Sequence, residues 1–279
     1  MKRKILRLVV NVLMYGFLIL ISIYMILPFF WMLTTSLKPE NEIFASPPIL
    51  ISSNMNLAAY KTIIFDGNIL RVLLNTFIIA SCATIVRLFF CSLGGFGFAK
   101  YKFLGKGTLF AILVATLVIP FSITLVPLFV VMVQLKWTNT FLPLIIPGAA
   151  SAFGIFFMRQ YISTIENELL DAARIDGASE FAIFTRIIIP IVAPGMTSLG
   201  LIFFMGAWND FLWPLVILKK PDLFTLPIAI NQMIQSMIGR PVYSQQMAAA
   251  VISIIPLLII FLVFQRRFVE GITAGAIKG

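Results

Sequence analysis

Apolar residues gather along this chain in six blocks, each close to the about 20 residues a helix needs to cross a bilayer. They run roughly over 9–34, 72–97, 107–134, 141–160, 187–218 and 247–265. Between the fourth and fifth blocks lies a polar, acidic stretch, 161–186, whose pattern predicts short surface helices. The third and fifth blocks are long and contain Pro120 and Pro127, then Pro190, Pro194 and Pro214. Two readings of these prolines stand side by side. They kink helices that line a pathway, or they reflect the ordinary frequency of proline in membrane helices. The expected fold class is all-α: a polytopic membrane protein, one domain over 1–279, with six transmembrane helices.

Composition supports this. The chain is 60% hydrophobic and 11% charged, with a mean hydropathy of +1.03. A soluble domain is nearer half apolar and a quarter charged. The net charge of +10 fits positive-inside bias and anionic headgroups. Nucleic-acid binding fits poorly, because the basic residues are scattered between apolar blocks.

With the N-terminus inside, 13 of the 21 lysines and arginines fall in inner segments and seven in outer ones, with Arg87 left inside the second span. This places both termini, and the 161–186 loop, in the cytoplasm. Met1-Lys2-Arg3-Lys4 precedes an apolar run too long for a signal peptide, with no small-residue cleavage site after it. It reads as an uncleaved first span. Arg87 sits roughly 24 Å past the outer end of its span, near enough to the inner boundary to snorkel. The other reading of Arg87 is a functional charge.

Cys82 and Cys91 lie about 13 Å apart along one expected helix, too far for a bridge within it. The chain has no histidine, which removes the commonest metal ligand and general base. No metal site, cofactor site or catalytic set is expected. No internal repeat is visible. The outer segments near 39–70 and 219–246 carry turn signals, Ser46-Pro47-Pro48 and Arg240-Pro241. The outer segment's Asn231, Gln232 and Gln235 could meet a soluble partner or belong to a plain connector.

The 161–186 loop carries the most chemistry. Ser163 or Thr164 can cap a helix whose first turn holds Glu166 and Glu168. Leu169, Ala172, Ala173 and Asp176 then share one helical face at i, i+3, i+4 and i+7. Alanines permit close approach of another protein, and carboxylates can pair with its Arg or Lys. Gly177 suits a left-handed helix end, Ser179 can cap a second short helix, and Pro190 suits the start of the next span. Lipid-surface helices are basic on their polar face. This loop instead holds Glu166, Glu168, Asp171, Asp176 and Glu180 against Arg159, Arg174 and Arg186. It is therefore expected to dock onto a soluble protein rather than onto headgroups.

At these residues the chain resembles a family. Asp171-Ala172-Ala173, three residues, Gly177, nine residues and Ile187-Ile188-Ile189-Pro190 match the spacing of the EAA loop of binding-protein-dependent ABC-transporter permeases. That loop reads Glu-Ala-Ala, then Gly, then Ile-x-Leu-Pro, so Asp replaces Glu and Ile replaces Leu. Asp171–Ser179, Ala207–Leu215 and the tail 271–279 are similar to the carbohydrate branch, and more narrowly to maltose-system permeases of the MalG type. Ser36-Leu37-Lys38-Pro39 and Leu74-Asn75-Thr76 fit as well.

The resemblance implies a type I importer permease fold, a second permease in a heterodimer, two cytosolic ATPase subunits and an extracytoplasmic solute-binding protein. It also implies that Leu169, Asp171, Ala172, Ala173, Arg174, Asp176, Gly177 and Ala178 couple to the ATPase. Thr273, Gly275 and Lys278 of the tail would reach toward the same subunits.

The chain itself carries no phosphate-cradling loop. Around Gly105-Lys106-Gly107-Thr108, Lys100 stands where the first glycine should be and Gly107 where Ser or Thr should follow the lysine. ATP would be hydrolysed by a partner. Trp208-Asn209-Asp210, with Trp213, is the most polar point of an apolar span. It can contact sugar through stacking and hydrogen bonds, or serve as a hinge or helix terminus. The expected cargo is a sugar or oligosaccharide. The rivals are an ABC permease for another solute, an ion-coupled secondary transporter, which should show paired intramembrane acids or inverted repeats, and a non-transporting membrane anchor.

Overall fold

The computed structural model describes residues 2–65, 67–235 and 242–276, and among these every regular element is helical. In an apolar solvent a helix satisfies its backbone polar groups within itself, which makes it the default for such a sequence. Three helices are long and apolar enough to span a bilayer: Val9–Ser36, Ile69–Lys100 and Tyr243–Arg266. Two further pairs qualify if each bent pair is one crossing, Lys106–Val118 with Phe121–Gln134 and Glu180–Ile191 with Ala193–Trp208.

The prolines account for the bends. The first pair turns by 101°. Ile119, the residue before Pro120, is extended at φ −78, ψ 114, as the proline ring demands of its predecessor. The second pair turns by 81° at Val192, between Pro190 and Pro194, neither of which can donate a backbone hydrogen bond. A π-helical turn, Phe184–Ile188, precedes that bend. Pro127, by contrast, lies within Phe121–Gln134 without interrupting it. The expected fourth block is not one helix. It divides into Leu142–Ile145 and Ala152–Ser163, with Pro147 and Gly148 between. Twelve residues in the latter give roughly 18 Å, well short of the hydrocarbon thickness on their own.

The chain divides into two compact units. One comprises Met1–Ile69 and Ile230–Ile255. Here the Glu40 carboxylate accepts the backbone N–H groups of Tyr243 (3.2 Å) and Ser244 (2.7 Å). An acid at a helix start satisfies orphan donors and complements the dipole. Lys38 is buried, with its ammonium on the Ile49 carbonyl and 4.9 Å above the Trp31 ring.

The other unit comprises Leu70–Ala229 and Pro256–Gly279 and contains the polar loop. Asn75 and Thr76, polar positions in an apolar helix, serve packing here. Asn75 donates to the carbonyls of Asp222 (2.9 Å) and Phe224 (3.1 Å), and Thr76 Oγ1 accepts from Leu226 N–H (2.8 Å). The main core of this unit joins Cys91 and Phe96 of Ile69–Lys100, Ile155, Met158 and Ile162 of Ala152–Ser163, and Leu199 and Phe203 of Ala193–Trp208.

Ile69–Lys100 and Ala152–Ser163 meet at Gly95. A Cβ there would lie 2.6 Å from Met158 Cβ and 2.8 Å from the Arg159 backbone nitrogen. The partner is backbone and cannot yield. Gly95→Ala is therefore expected to cost about 1–3 kcal/mol by overpacking. It should lower Tm in detergent, whereas Gly97→Ala, with open space at its Cβ, should leave Tm nearly unchanged.

Candidate functional site

The 161–186 stretch folds as a helix, Asn167–Ile175, a tight reversal, and a second short helix, Glu180–Ile183. It has a buried underside. Leu170, Ile183 and Phe184 are each at most 1% exposed and pack with Phe96, Met158 and Ile162. Ala173 and Ala178 rest on the same core.

The reversal is a Schellman ending. Gly177 N–H bonds the Arg174 carbonyl and Ala178 N–H bonds the Ala173 carbonyl, both at 3.0 Å. Gly177 takes φ +81, the left-handed conformation expected of it. Ser179 Oγ accepts Ala182 N–H at 3.2 Å, also as expected. The first cap differs. Ser163 and Thr164 donate backward to the carbonyls of Gln160 (2.7 Å) and Tyr161 (2.8 Å), so they finish the preceding helix. Glu166 occupies the N-cap position of Asn167–Ile175 without a side-chain cap bond.

The expected face also divides. Ala173 turns toward the core, while Leu169, Ala172 and Asp176 are exposed together with Asp171, Arg174 and Gly177. Ile175, not singled out from the sequence, is 86% exposed and extends this surface as a bare apolar side chain.

Arg174 organises the charges. Its Nη1 donates to Asp171 at 2.7 Å, and its Nε and Nη2 fork onto Glu180 at 2.8 and 3.3 Å. Tyr101 donates its hydroxyl to Glu180 from the end of Ile69–Lys100. Lys100 donates to the Ile165 carbonyl and to Asn167 Oδ1. Arg159 donates to the Phe98 carbonyl and lies 3.9 Å over the Phe110 ring. Exposed ion pairs contribute roughly 0–1 kcal/mol each. Here their effect is to orient side chains whose backbone is already anchored by apolar burial. Tyr101, Lys100 and Glu180 were not expected as partners, because their pairing needs residues 65–79 positions apart to meet.

These contacts shift protonation. The Arg174 guanidinium, then the Tyr101 hydroxyl, hold the Glu180 carboxyl below its usual range. Burial, then the Glu180 carboxylate, push the Tyr101 phenol from 10.0 up to about 12. The stabilisation from Glu180 is present above the ordinary carboxylate pKa and is lost as pH falls through the lowered one. That from Tyr101 is complete below about 10 and is lost as pH rises through about 12.

The residues 208–213 go to different surroundings. Trp208 is 2% exposed, stacks on Phe204 at 5.6 Å, and lines an apolar groove of about 540 Å³ with Leu73, Phe77, Pro256 and Ile259. Asn209 is exposed and donates to the Met205 carbonyl at 2.9 Å. The Asp210 carboxylate accepts backbone N–H groups of Trp213 and Phe211, at the start of the helix Leu212–Ile217. Trp213 is buried and donates to the Pro143 carbonyl at 2.9 Å. This is the geometry of a helix terminus.

Arg87 meets residues far along the chain. Its guanidinium sits against the backbone of Gly148, 5.9 Å from the Phe203 ring, with Nε buried and without a hydrogen-bond partner. In the tail, Thr273 and Gly275 fall in the last turns of Tyr243–Ala276, their side-chain surroundings not described, and Lys278 lies outside the described residues.

The sequence profile of binding-protein-dependent transport system inner membrane components matches residues 91–274. The arabinooligosaccharides transport system permease protein AraQ of Bacillus subtilis (strain 168) is 32% identical over 272 residues, covering 94% of each chain. The sn-glycerol-3-phosphate transport system permease protein UgpE of Escherichia coli O1:K1 / APEC is 33% identical over 239 residues, covering 84% of this chain and 85% of its own. In structure, a chain of a bacterial ABC transporter involved in the import of the acidic polysaccharide alginate superposes with a TM-score of 0.80. It is 22% identical, over 93% of this chain and 95% of that one.

An ultraviolet difference titration, intact protein minus Tyr101→Phe, should yield one phenol ionising at about 12 instead of 10.0. A difference curve centred near 10 would contradict the Tyr101–Glu180 contact.

Proposed function

Because this chain belongs to the binding-protein-dependent transport system inner membrane components, a family of ABC-transporter permeases in membranes, we propose that it is one permease subunit of a type I importer for a sugar or oligosaccharide in the cytoplasmic membrane. It works as a single permease domain that crosses the membrane six times, with both termini and the 161–186 loop in the cytoplasm. Its partners are a second, different permease, two cytosolic ATPase subunits and an extracytoplasmic solute-binding protein.

The observation that carries this reading is the loop's construction. Its underside is locked into the core, and its upper face offers Leu169, Ala172, Ile175 and Asp176 to a soluble protein. A coupling element must be stiff, because a loose one absorbs displacement instead of passing it on. The Schellman reversal and the Arg174 fork supply that stiffness. Asp171, Arg174 and Gly177 complete the coupling surface, Ala173 and Ala178 seat it on the core from beneath, and Thr273, Gly275 and Lys278 are further ATPase contacts. ATP binding closes the ATPase pair, the loop transmits that motion to the spans, and the cavity opens outward to accept solute. Hydrolysis on the partner subunits resets it. This chain does no chemistry and needs no cofactor.

The cargo reading rests on the saccharide named for one relative, arabinooligosaccharides. Trp208, Asn209, Asp210 and Trp213 act as a hinge beside the pathway, their side chains being spent on packing and helix termination.

Purification of the complex, followed by mass spectrometry, should recover the second permease, the ATPase and a bound sugar. Recovery without any ATPase subunit would refute the reading. Gly177→Val has open space at its Cβ but forces a branched residue to φ +81, at a cost of roughly 1–2 kcal/mol or more. It should abolish uptake by whole cells while membrane levels stay normal. Full uptake by that variant would count against the coupling role.

A further inference from the structure

The seat of the polar loop on Ile69–Lys100 has two sides. On one, Leu170, Ile183 and Phe184 fill the core against Phe96. On the other, a gap of about 320 Å³ opens between Leu93 and Gly97 of that helix and Phe181 of the loop. Tyr101 and Glu180 line the gap and are joined by the hydrogen bond from the Tyr101 hydroxyl. Both ends of that bond are fixed. The Tyr101 ring packs edge-on against Phe96, with centroids 5.3 Å apart. Glu180 is held by the fork of Arg174, which also holds Asp171 on the docking surface.

An unfilled gap can close when the loop is pushed, and the push is then lost. A hydrogen bond across the gap, between two side chains each held by a further contact, opposes this closure. We infer that Tyr101 and Glu180 are positioning residues that make Ile69–Lys100 move with the loop. The loop thereby drives two spans, the one that follows it in sequence and the one clamped to it through Tyr101. This rests on the coupling role proposed above. It adds a second output and assigns it to residues outside the docking surface. The path runs from Asp171 through Arg174 and Glu180 to Tyr101.

The test uses the complete importer in proteoliposomes, with its own ATPase subunits and binding protein, and reads solute moved per ATP hydrolysed. Tyr101→Phe keeps the ring and removes the donor, while Glu180→Gln keeps the shape and removes the charge. Each should lower the ratio by about two- to thirtyfold, the range that changes along a coupling network produce. ATPase subunits should co-purify as in the wild type. The double variant should be no worse than the poorer single, because both changes cut one link. An unchanged ratio in both singles, or losses that multiply in the double, would overturn the inference. Loss of ATPase subunits from a single variant would also overturn it, since the pair would then be a docking contact. A wild-type complex lacking ATPase would instead refute the importer reading itself.

Discussion

Leu170, Ile183 and Phe184 hold a polar, acidic loop against the body of its unit, and the organisation of that end of the molecule depends on this burial. Fully burying three such side chains contributes roughly 1.5–3 kcal/mol apiece. The exposed ion pairs above them contribute far less. Apolar burial therefore sets where the loop backbone lies. The Schellman hydrogen bonds then end the first helix, and Arg174 orients the carboxylates that remain at the surface.

The division between anchoring underside and bare upper face gives the loop its functional character. A helix resting on lipid would turn apolar residues down and basic ones out. Here the outward residues are Leu169, Ala172, Ile175 and Asp176, small or apolar with an acidic edge. A protein groove with cationic walls fits such a face better than an anionic leaflet. The two bent helix pairs have a cause of their own. Prolines withdraw backbone donors at Ile119–Pro120 and around Val192, so the chain turns by 101° and 81° where a regular span would continue straight.

Much of this was legible in the sequence, for reasons that are local. Gly177 could be read as a left-handed helix end because only glycine takes that conformation without strain. Ser179 could be read as a cap because its hydroxyl reaches a donor three residues on. The first cap was misplaced by two or three residues because Ser163 and Thr164 suit either helix end by type, and in the fold they close the helix that precedes the loop. The four-residue face was only partly right, since a period of 3.6 places Ala173 near Leu169 but cannot say where the core lies. Trp208, Asn209 and Asp210 could be read as a break in a span, though not that each would face a different neighbour.

The sequence by itself determined that this protein lives in a membrane, that it is helical, and that one acidic stretch forms short surface helices. Composition, proline placement and the Asp171–Gly177 spacing suffice for these, because they rest on local rules of solvation and backbone geometry. Tertiary structure alone decided that Arg87 turns inward to Gly148, that Asn75 and Thr76 secure residues 222–226, and that Tyr101 reaches Glu180. Each of those contacts joins positions 61–150 residues apart in the chain. No local propensity encodes them. They exist because burial of the apolar faces brings distant backbone together and sets what each polar side chain meets.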